Sequence, residues 1–201
     1  MKLYWHTLSL IPWRVRIALA EKAIEYEDVS VDVYSSPERS SEFLALNPFG
    51  QIPVLEDDGL VIAESLAILE YLEEKHPEPA LMPEDIAARA TVRQFMCWST
   101  DYWPPAWKKW MAPHLPGLES TPESVAEGRR EIGMQLDVLE SQLADRDWLV
   151  DDFSLADVCY APLVLLLESV GLEDDLAARA KVAAWAKRLT ERPSVKATTV
   201  F

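Results

Sequence analysis

The sequence predicts two parts, a small α/β domain in the order β-α-β-α-β-β-α and an all-helical domain after it. Three observations carry that division. Strand-like alternation is confined to the residues before 77, the proline-rich stretch His76-Pro77-Glu78-Pro79 closes it, and long 3.6-residue patterns take over after Pro83. The boundaries that follow are 1–76 for the first domain, 77–85 for the linker and 86–201 for the helical domain, within reach of a 201-residue chain.

Residues 2–5 form a short first strand, and from Pro12 the run Trp-Arg-Val-Arg-Ile-Ala-Leu-Ala-Glu-Lys turns to helical spacing, with proline suited to a first turn. Tyr26, Val29, Val31 and Val33 give a second strand, 40–46 a short helix, and 52–55 with 60–62 two strands around the turn Asp57-Asp58-Gly59. A third helix takes Ser65 as its N-cap and sets Ile68, Leu69 and Leu72 on one face. Helical patterns then cover 86–103, 122–144, 154–169 and 179–191, with a break at Pro104-Pro105, where one proline lacks a donor and the next disfavours helical geometry before it. Ser154 and Asp157 make a variant capping box, a cap whose loss costs about 1 kcal/mol.

Composition narrows the function. Hydrophobic residues are 49% and charged residues 26%, and the net charge is −15, with neither half basic. A surface of that sign disfavours nucleic acid and anionic membrane as partners. The longest apolar run, near Leu163, is far short of a membrane span, and the N-terminus enters a strand with no signal-peptide pattern, so the cytoplasm is the expected location. Cys97 and Cys159 form no C-x-x-C pair and are expected as buried thiols, while His6, His76 and His114 are too scattered to mark a metal site.

Residues 46–79, reading LNPFGQIPVLEDDGLVIAESLAILEYLEEKHPEP, closely resemble the glutathione transferase family, and so does FSLADVCYAP at 153–162. The marks N-P-x-G-x-I-P-V-L, E-S and S-L-A-D stand in the family's order, and the similarity covers essentially the whole chain. The resemblance implies a thioredoxin-like N-terminal domain that binds glutathione, a helical C-terminal domain shaping the second-substrate pocket, and a homodimer. Glutathione is the implied co-substrate, with no metal. The run Trp13 to Leu19 is also similar to the zeta class, but that class carries a Ser-Ser-x-Cys-like motif where this chain has Ser9-Leu10-Ile11-Pro12.

Ser9, between the first strand and first helix, falls where the family's hydroxyl class keeps the residue that hydrogen-bonds the glutathione sulfur. A hydroxyl donor and a helix N-terminus both favour thiolate over thiol, raising the nucleophilic fraction without the serine attacking. Read from its position alone, Ser9 is as well a helix cap. Tyr4, His6 and Thr7 are neighbouring alternatives, Tyr4 expected to point into the core. Ile52-Pro53 matches the family's cis-proline turn, which implies that the Ile52 backbone pairs with the glutathione cysteinyl unit; Gln51 is implied as a side-chain ligand. Ser65 and its amide are suited to the γ-glutamyl carboxylate, because a helix N-terminus presents unpaired N–H groups, and Glu64 to the ammonium beside it. Arg14 and Arg16 are expected on a solvated helix face.

Four of the eight tryptophans lie within 98–110, and Trp98, Tyr102, Trp103 and Trp107 are the candidates for the second-substrate pocket, with domain or dimer packing as the other use of such a cluster. The expected activity is activation of the glutathione thiol for conjugation to a small, apolar electrophile, a detoxification chemistry. Glutathione-dependent isomerisation or peroxide reduction is one alternative. A non-catalytic regulatory or interaction protein that kept the fold is another.

Overall fold

Apolar side chains alternating along short strands need a helical layer to bury them, and the first unit of the chain supplies it. The computed structural model describes residues 1–33, 39–115 and 117–199, and it divides into two units, Met1–Leu81 together with the segment from Glu191, and Met82–Thr190. Four strands, β1 (Lys2–Trp5), β2 (Glu27–Ser30), β3 (Val54–Asp57) and β4 (Leu60–Ala63), form one sheet in the order β2-β1-β3-β4. β1 runs parallel to β2 and antiparallel to β3, and β3 antiparallel to β4. The hairpin works because Asp58 and Gly59 both adopt positive φ, 50° and 83°, as a tight two-residue turn requires.

Helices α1 (Leu10–Glu21), α2 (Ser41–Leu46) and α3 (Ser65–Lys75) complete this unit, so the α/β order read from the sequence is the order observed. Leu3, Val15, Ile17, Leu19, Leu55, Ile68 and Leu72 are fully buried in it. Lys22 is buried as well: its Nζ lies 2.7 Å from Glu73 Oε2 and donates to the carbonyls of His76 and Pro79 at 2.7 and 2.9 Å. That spends all three ammonium protons, which is what makes burial of a lysine tolerable. The Ile52–Pro53 and Glu78–Pro79 bonds are cis, the first as the motif implies.

The second unit contains α4 (Ile86–Asp101), α5 (Trp103–Met111), α6 (Pro122–Gln142), α7 (Leu155–Leu165) and α8 (Glu173–Ala177), together with most of α9 (Ala180–Glu191). The break expected at the proline pair falls at Tyr102, between α4 and α5. α5 and α6 approach closely at Gly128, where a Cβ would stand 2.7 Å from the Trp110 backbone nitrogen and 2.8 Å from the Ala106 carbonyl. Only glycine fits such a crossing.

Several expectations are corrected. The segment from Glu191, including α10 (Pro193–Thr198), belongs to the α/β unit and not to the helical domain: Trp13 Nε1 donates to Thr198 Oγ1 at 2.9 Å, and Arg16 Nη1 to the Thr198 carbonyl at 2.7 Å. Residues 200–201 of the expected helical domain lie outside the described residues. Arg14 is fully buried, and Arg16 lies 3.9 Å over the Trp5 ring with Nε donating to Tyr26, so neither arginine is on a solvated face. Cys159 is buried as expected, but Cys97 is exposed, because it faces outward on α4.

The capping box at Ser154 and Asp157 is present but does more than cap. The Asp157 carboxylate also accepts from the Leu149 amide at 3.1 Å and from Trp185 Nε1 at 2.9 Å, tying the loop before α7 and the helix α9 to one buried group. Burial pushes this carboxyl from an ordinary 3.8 up to about 6, against the pull of those donors. Asp157→Ala leaves the Leu149, Ser154 and Trp185 N–H groups without an acceptor, at about 1–3 kcal/mol each, so the loss in urea unfolding is expected near ~4 kcal/mol and not ~1. A folded-state pKa above the unfolded one makes the carboxyl's contribution largest below pH 3.8 and smaller as pH rises through about 6. The stability difference between wild type and variant should therefore shrink over that interval and be flat above it.

Candidate functional site

Strand register collects the candidate residues of the α/β unit at one end of its sheet. β1 runs toward Trp5 and hands the chain to the 6–9 loop; Val54, which opens β3, pairs with Tyr4, and Ala63, which closes β4, pairs with Val54. Ser9, residues 51–53 and the Glu64-Ser65 pair therefore all leave the sheet at the C-terminal end of β1. The helix that follows each of the two serine positions points its N-terminus to that end.

Those two N-termini are open, as are those of α5, α8 and α10, which likewise lack a side-chain cap bond. α2, α4, α6 and α7 are closed by side-chain oxygens of Ser40, Asp85, Thr121 and Ser154. α1 and α3 are not: Ser9 and Glu64 stand at their N-cap positions and make no side-chain cap bond. Ser9 has the extended backbone of a cap, φ −101° and ψ 120°, and its amide donates to the His6 carbonyl at 3.0 Å. Its hydroxyl, half-buried, is left for another partner. The helix-cap role open to Ser9 in the sequence is thus not the one it takes.

Two of the neighbouring alternatives, Tyr4 and His6, are committed elsewhere. The Tyr4 hydroxyl donates to Glu56 Oε2 at 3.2 Å, and burial together with Glu56 raises its pKa. Tyr4 is half-buried against Phe43, not sunk in the core as expected. His6 Nδ1 accepts from the Leu8 amide at 3.2 Å, bracing the loop that presents Ser9, and Thr7 is exposed.

At α3 the N-cap is Glu64, one residue earlier than the sequence suggests, and Ser65 is the first helical residue, 4% exposed. Glu64 holds φ 72° and ψ 115°, a conformation that glutamate rarely adopts and that turns its carboxylate outward while leaving the Ser65 amide at the open helix end. Strain of this kind concentrates at ligand sites.

The 47–51 turn is set from inside. Asn47, 2% exposed, donates from Nδ2 to the Gln51 carbonyl at 2.8 Å and accepts from the Phe49 amide at 3.1 Å. Arg39 donates to the carbonyls of Gly50 and Val33 at 3.1 and 3.0 Å. The Gln51 side chain is exposed, Ile52 half-buried and Pro53 buried. Asn47 and Gly50 are legible in N-P-x-G, whereas Arg39 carries no signal, since nothing local distinguishes an arginine that reaches across eleven residues.

In the helical unit Trp98 and Tyr102 line an open cavity of about 480 Å³ with Pro105, Met134, Val138 and Tyr160. Trp103 is fully buried, its ring 6.1 Å from Tyr160 at a steep angle, so it supports the wall from behind and is corrected from pocket to core. Trp107 is half-buried and lies outside this cavity. Among the described residues no group of three or more His, Cys, Asp or Glu is placed to hold a metal ion, and no helix is long and apolar enough to cross a membrane.

The fold is a thioredoxin-like unit joined in sequence to a helical domain, and comparison with known proteins places the chain. Residues 1–74 match the family model of the glutathione S-transferase N-terminal domain and residues 100–193 that of the C-terminal domain. Glutathione S-transferase F10 of Arabidopsis thaliana is 34% identical over 192 residues, covering 91% of this chain and 89% of the relative. Maleylacetoacetate isomerase of Rattus norvegicus is 38% identical over 167 residues, 81% of this chain and 76% of the relative. The crystal structure of glutathione transferase F7 from Populus trichocarpa superposes with a TM-score of 0.87 at 30% identity over 100% of this chain and 99% of its own. The chain belongs to the glutathione S-transferase family.

Gly50 tests the turn directly. Its φ is 63° and an added Cβ would stand 3.0 Å from Arg39 Cγ, so Gly50→Ala should cost about 1–2 kcal/mol in urea unfolding. A neutral substitution would show that the turn is not fixed as described.

Proposed function

We propose that this chain is a glutathione transferase in which Ser9 donates its hydroxyl proton in a hydrogen bond to the glutathione sulfur and favours the thiolate. The single observation behind this reading is the uncommitted Ser9 hydroxyl at the uncapped N-terminus of α1. On binding, the thiol proton passes to solvent; the thiolate then attacks the electrophilic carbon, forming the C–S bond and displacing a leaving group or adding to an activated double bond. Ser9 stays a hydrogen-bond donor throughout, and the partial positive charge of the helix end acts in the same direction.

The rest of the α/β site holds the tripeptide. Ser65 and the open amides of α3 take the γ-glutamyl carboxylate, and the outward Glu64 carboxylate takes the ammonium of the same unit. The backbone of Ile52, set by Pro53, pairs with the cysteinyl unit, and the exposed Gln51 side chain reaches a carboxylate or amide. A small apolar electrophile is taken by the helical domain, with Trp98 and Tyr102 as pocket walls and Trp107 as a further aromatic contact. The protein works as a cytoplasmic homodimer in detoxification, with no metal and neither nucleic acid nor membrane as partner. Phe49, 82% exposed on a braced turn, is an apolar side chain that a second copy would cover.

A second reading is supported by the relative named for isomerisation of maleylacetoacetate. The same thiolate, adding to a conjugated double bond and leaving again after rotation, would catalyse cis–trans isomerisation with glutathione unchanged. A panel of chloroarene, peroxide and conjugated diacid substrates separates these uses of one nucleophile.

Two substitutions divide the roles. Ser9→Ala should lower kcat by about 10²-fold, the scale for losing one donor to a developing anion, with glutathione affinity within about threefold of wild type. Ser65→Ala should do the reverse, weakening glutathione about tenfold in calorimetry at near-normal kcat under saturation. Unchanged turnover in Ser9→Ala would remove Ser9 from the mechanism.

A further inference from the structure

Residues 6–9 carry the chain from the end of β1 to the start of α1. Both anchors are firm: Trp5 closes a paired strand and its carbonyl accepts from the Val31 amide at 2.8 Å, while α1 buries seven of its twelve residues. The tip of the turn has little to bury. Thr7 and Leu8 are exposed, Leu8 by 71%, so hydrogen bonds and not packing hold this part of the chain.

Two hydrogen bonds close the turn, and both end on residue 6. The Ser9 amide donates to the His6 carbonyl at 3.0 Å, and the Leu8 amide donates to His6 Nδ1 at 3.2 Å. A side-chain acceptor that takes the amide two residues on is the means by which Asp and Asn stabilise turns. Here an imidazole fills that place, which requires Nδ1 to carry no proton. Ser9 makes no side-chain cap bond to α1, so the direction of its hydroxyl follows from where the turn sets its backbone.

We infer that His6 is a positioning residue for the thiol chemistry: its Nδ1, by accepting the Leu8 amide, fixes the turn that aims the Ser9 hydroxyl at the glutathione sulfur. This rests on the reading that Ser9 donates to that sulfur. The acceptor atom carries the effect, and neither the bulk of the ring nor proton transfer through it is needed. A hydroxyl on a loosened turn samples directions other than the sulfur, and misplacement by about 1 Å costs up to about 10²-fold in rate. Losing one of the two turn bonds at an exposed loop is a smaller disturbance, so the expected loss is about five- to tenfold.

The test uses two complementary substitutions in the whole protein. His6→Phe keeps a flat ring and removes the acceptor, whereas His6→Asn removes the ring and keeps an oxygen that can take the Leu8 amide. His6→Phe should lower kcat about five- to tenfold, with the glutathione dissociation constant within about twofold of wild type, and should speed hydrogen exchange of the Leu8 amide by a similar factor. His6→Asn should return both kcat and exchange to within about twofold of wild type. In a Ser9→Ala background His6→Phe should lower kcat no further, because a brace acts only through the group it holds. An unchanged kcat in His6→Phe overturns the proposal. So does a loss in His6→Asn as large as in His6→Phe, which would make the imidazole itself the participant, and so does a further loss in the double variant. Failure of the underlying reading looks different: it is a Ser9→Ala protein with wild-type turnover, whereas this proposal fails alone where Ser9→Ala is impaired and His6→Phe is not.

Discussion

The first helix is held by its flank and its far end, and that arrangement leaves its beginning available. Trp13 and Arg16 are both bonded to Thr198, and Glu21 at the far end receives Arg192 at 2.8 and 2.7 Å and the Ser194 hydroxyl. Burial pushes the Glu21 carboxyl up, but Ser194 and Arg192 outweigh it and hold it low, so the clamp is charged at neutral pH. With seven of its twelve residues buried as well, α1 does not depend on an N-cap bond for its position. A hydroxyl at its N-cap is consequently free for chemistry. The segment from Glu191 thus braces the first helix, and those contacts tie it into the α/β unit.

A chain of net charge −15 has little long-range attraction to offer a peptide that carries carboxylates. The proposed site answers with local dipoles in place of lysines. The N-termini of α1 and α3 each present unpaired amides at one end of the sheet, where the partial positive charge acts over the first turn only and does not alter the acidic exterior. Glu64, at φ 72°, is in the proposed arrangement the partner of the one cationic group of the tripeptide. That proposal matches both ends of a zwitterionic amino-acid unit within two consecutive residues.

Much of this architecture is legible in the chain itself. Alternation, the Asp-Asp-Gly turn and the proline-rich stop set the order of strands and helices, because each depends on neighbours within a few residues. Residues 47–53 and the Glu64-Ser65 pair are legible for the same reason, as contiguous motifs. What escapes are contacts made across the chain. Nothing local to Arg16 announces its setting, since its environment is made by Trp5 and by a segment some 180 positions later. Asp157 reads as a cap because its cap partner is three residues away, while Trp185 is not. Trp103 and Trp98 look alike in sequence, and only the turn of helix between them decides that one is core and the other lines a cavity.

The most direct test of the central claim is the ionisation of glutathione bound to this protein, followed by thiolate absorbance as pH is raised, in wild type and in Ser9→Ala. An ordinary thiol ionises near ~8.5, and a hydroxyl donor at a helix N-terminus should bring the bound thiol to about 7 or below in wild type. The variant should return at least half of that shift. A bound thiol that titrates like the free one in wild type, or a lowered value that Ser9→Ala leaves in place, would contradict thiolate stabilisation by the Ser9 hydroxyl.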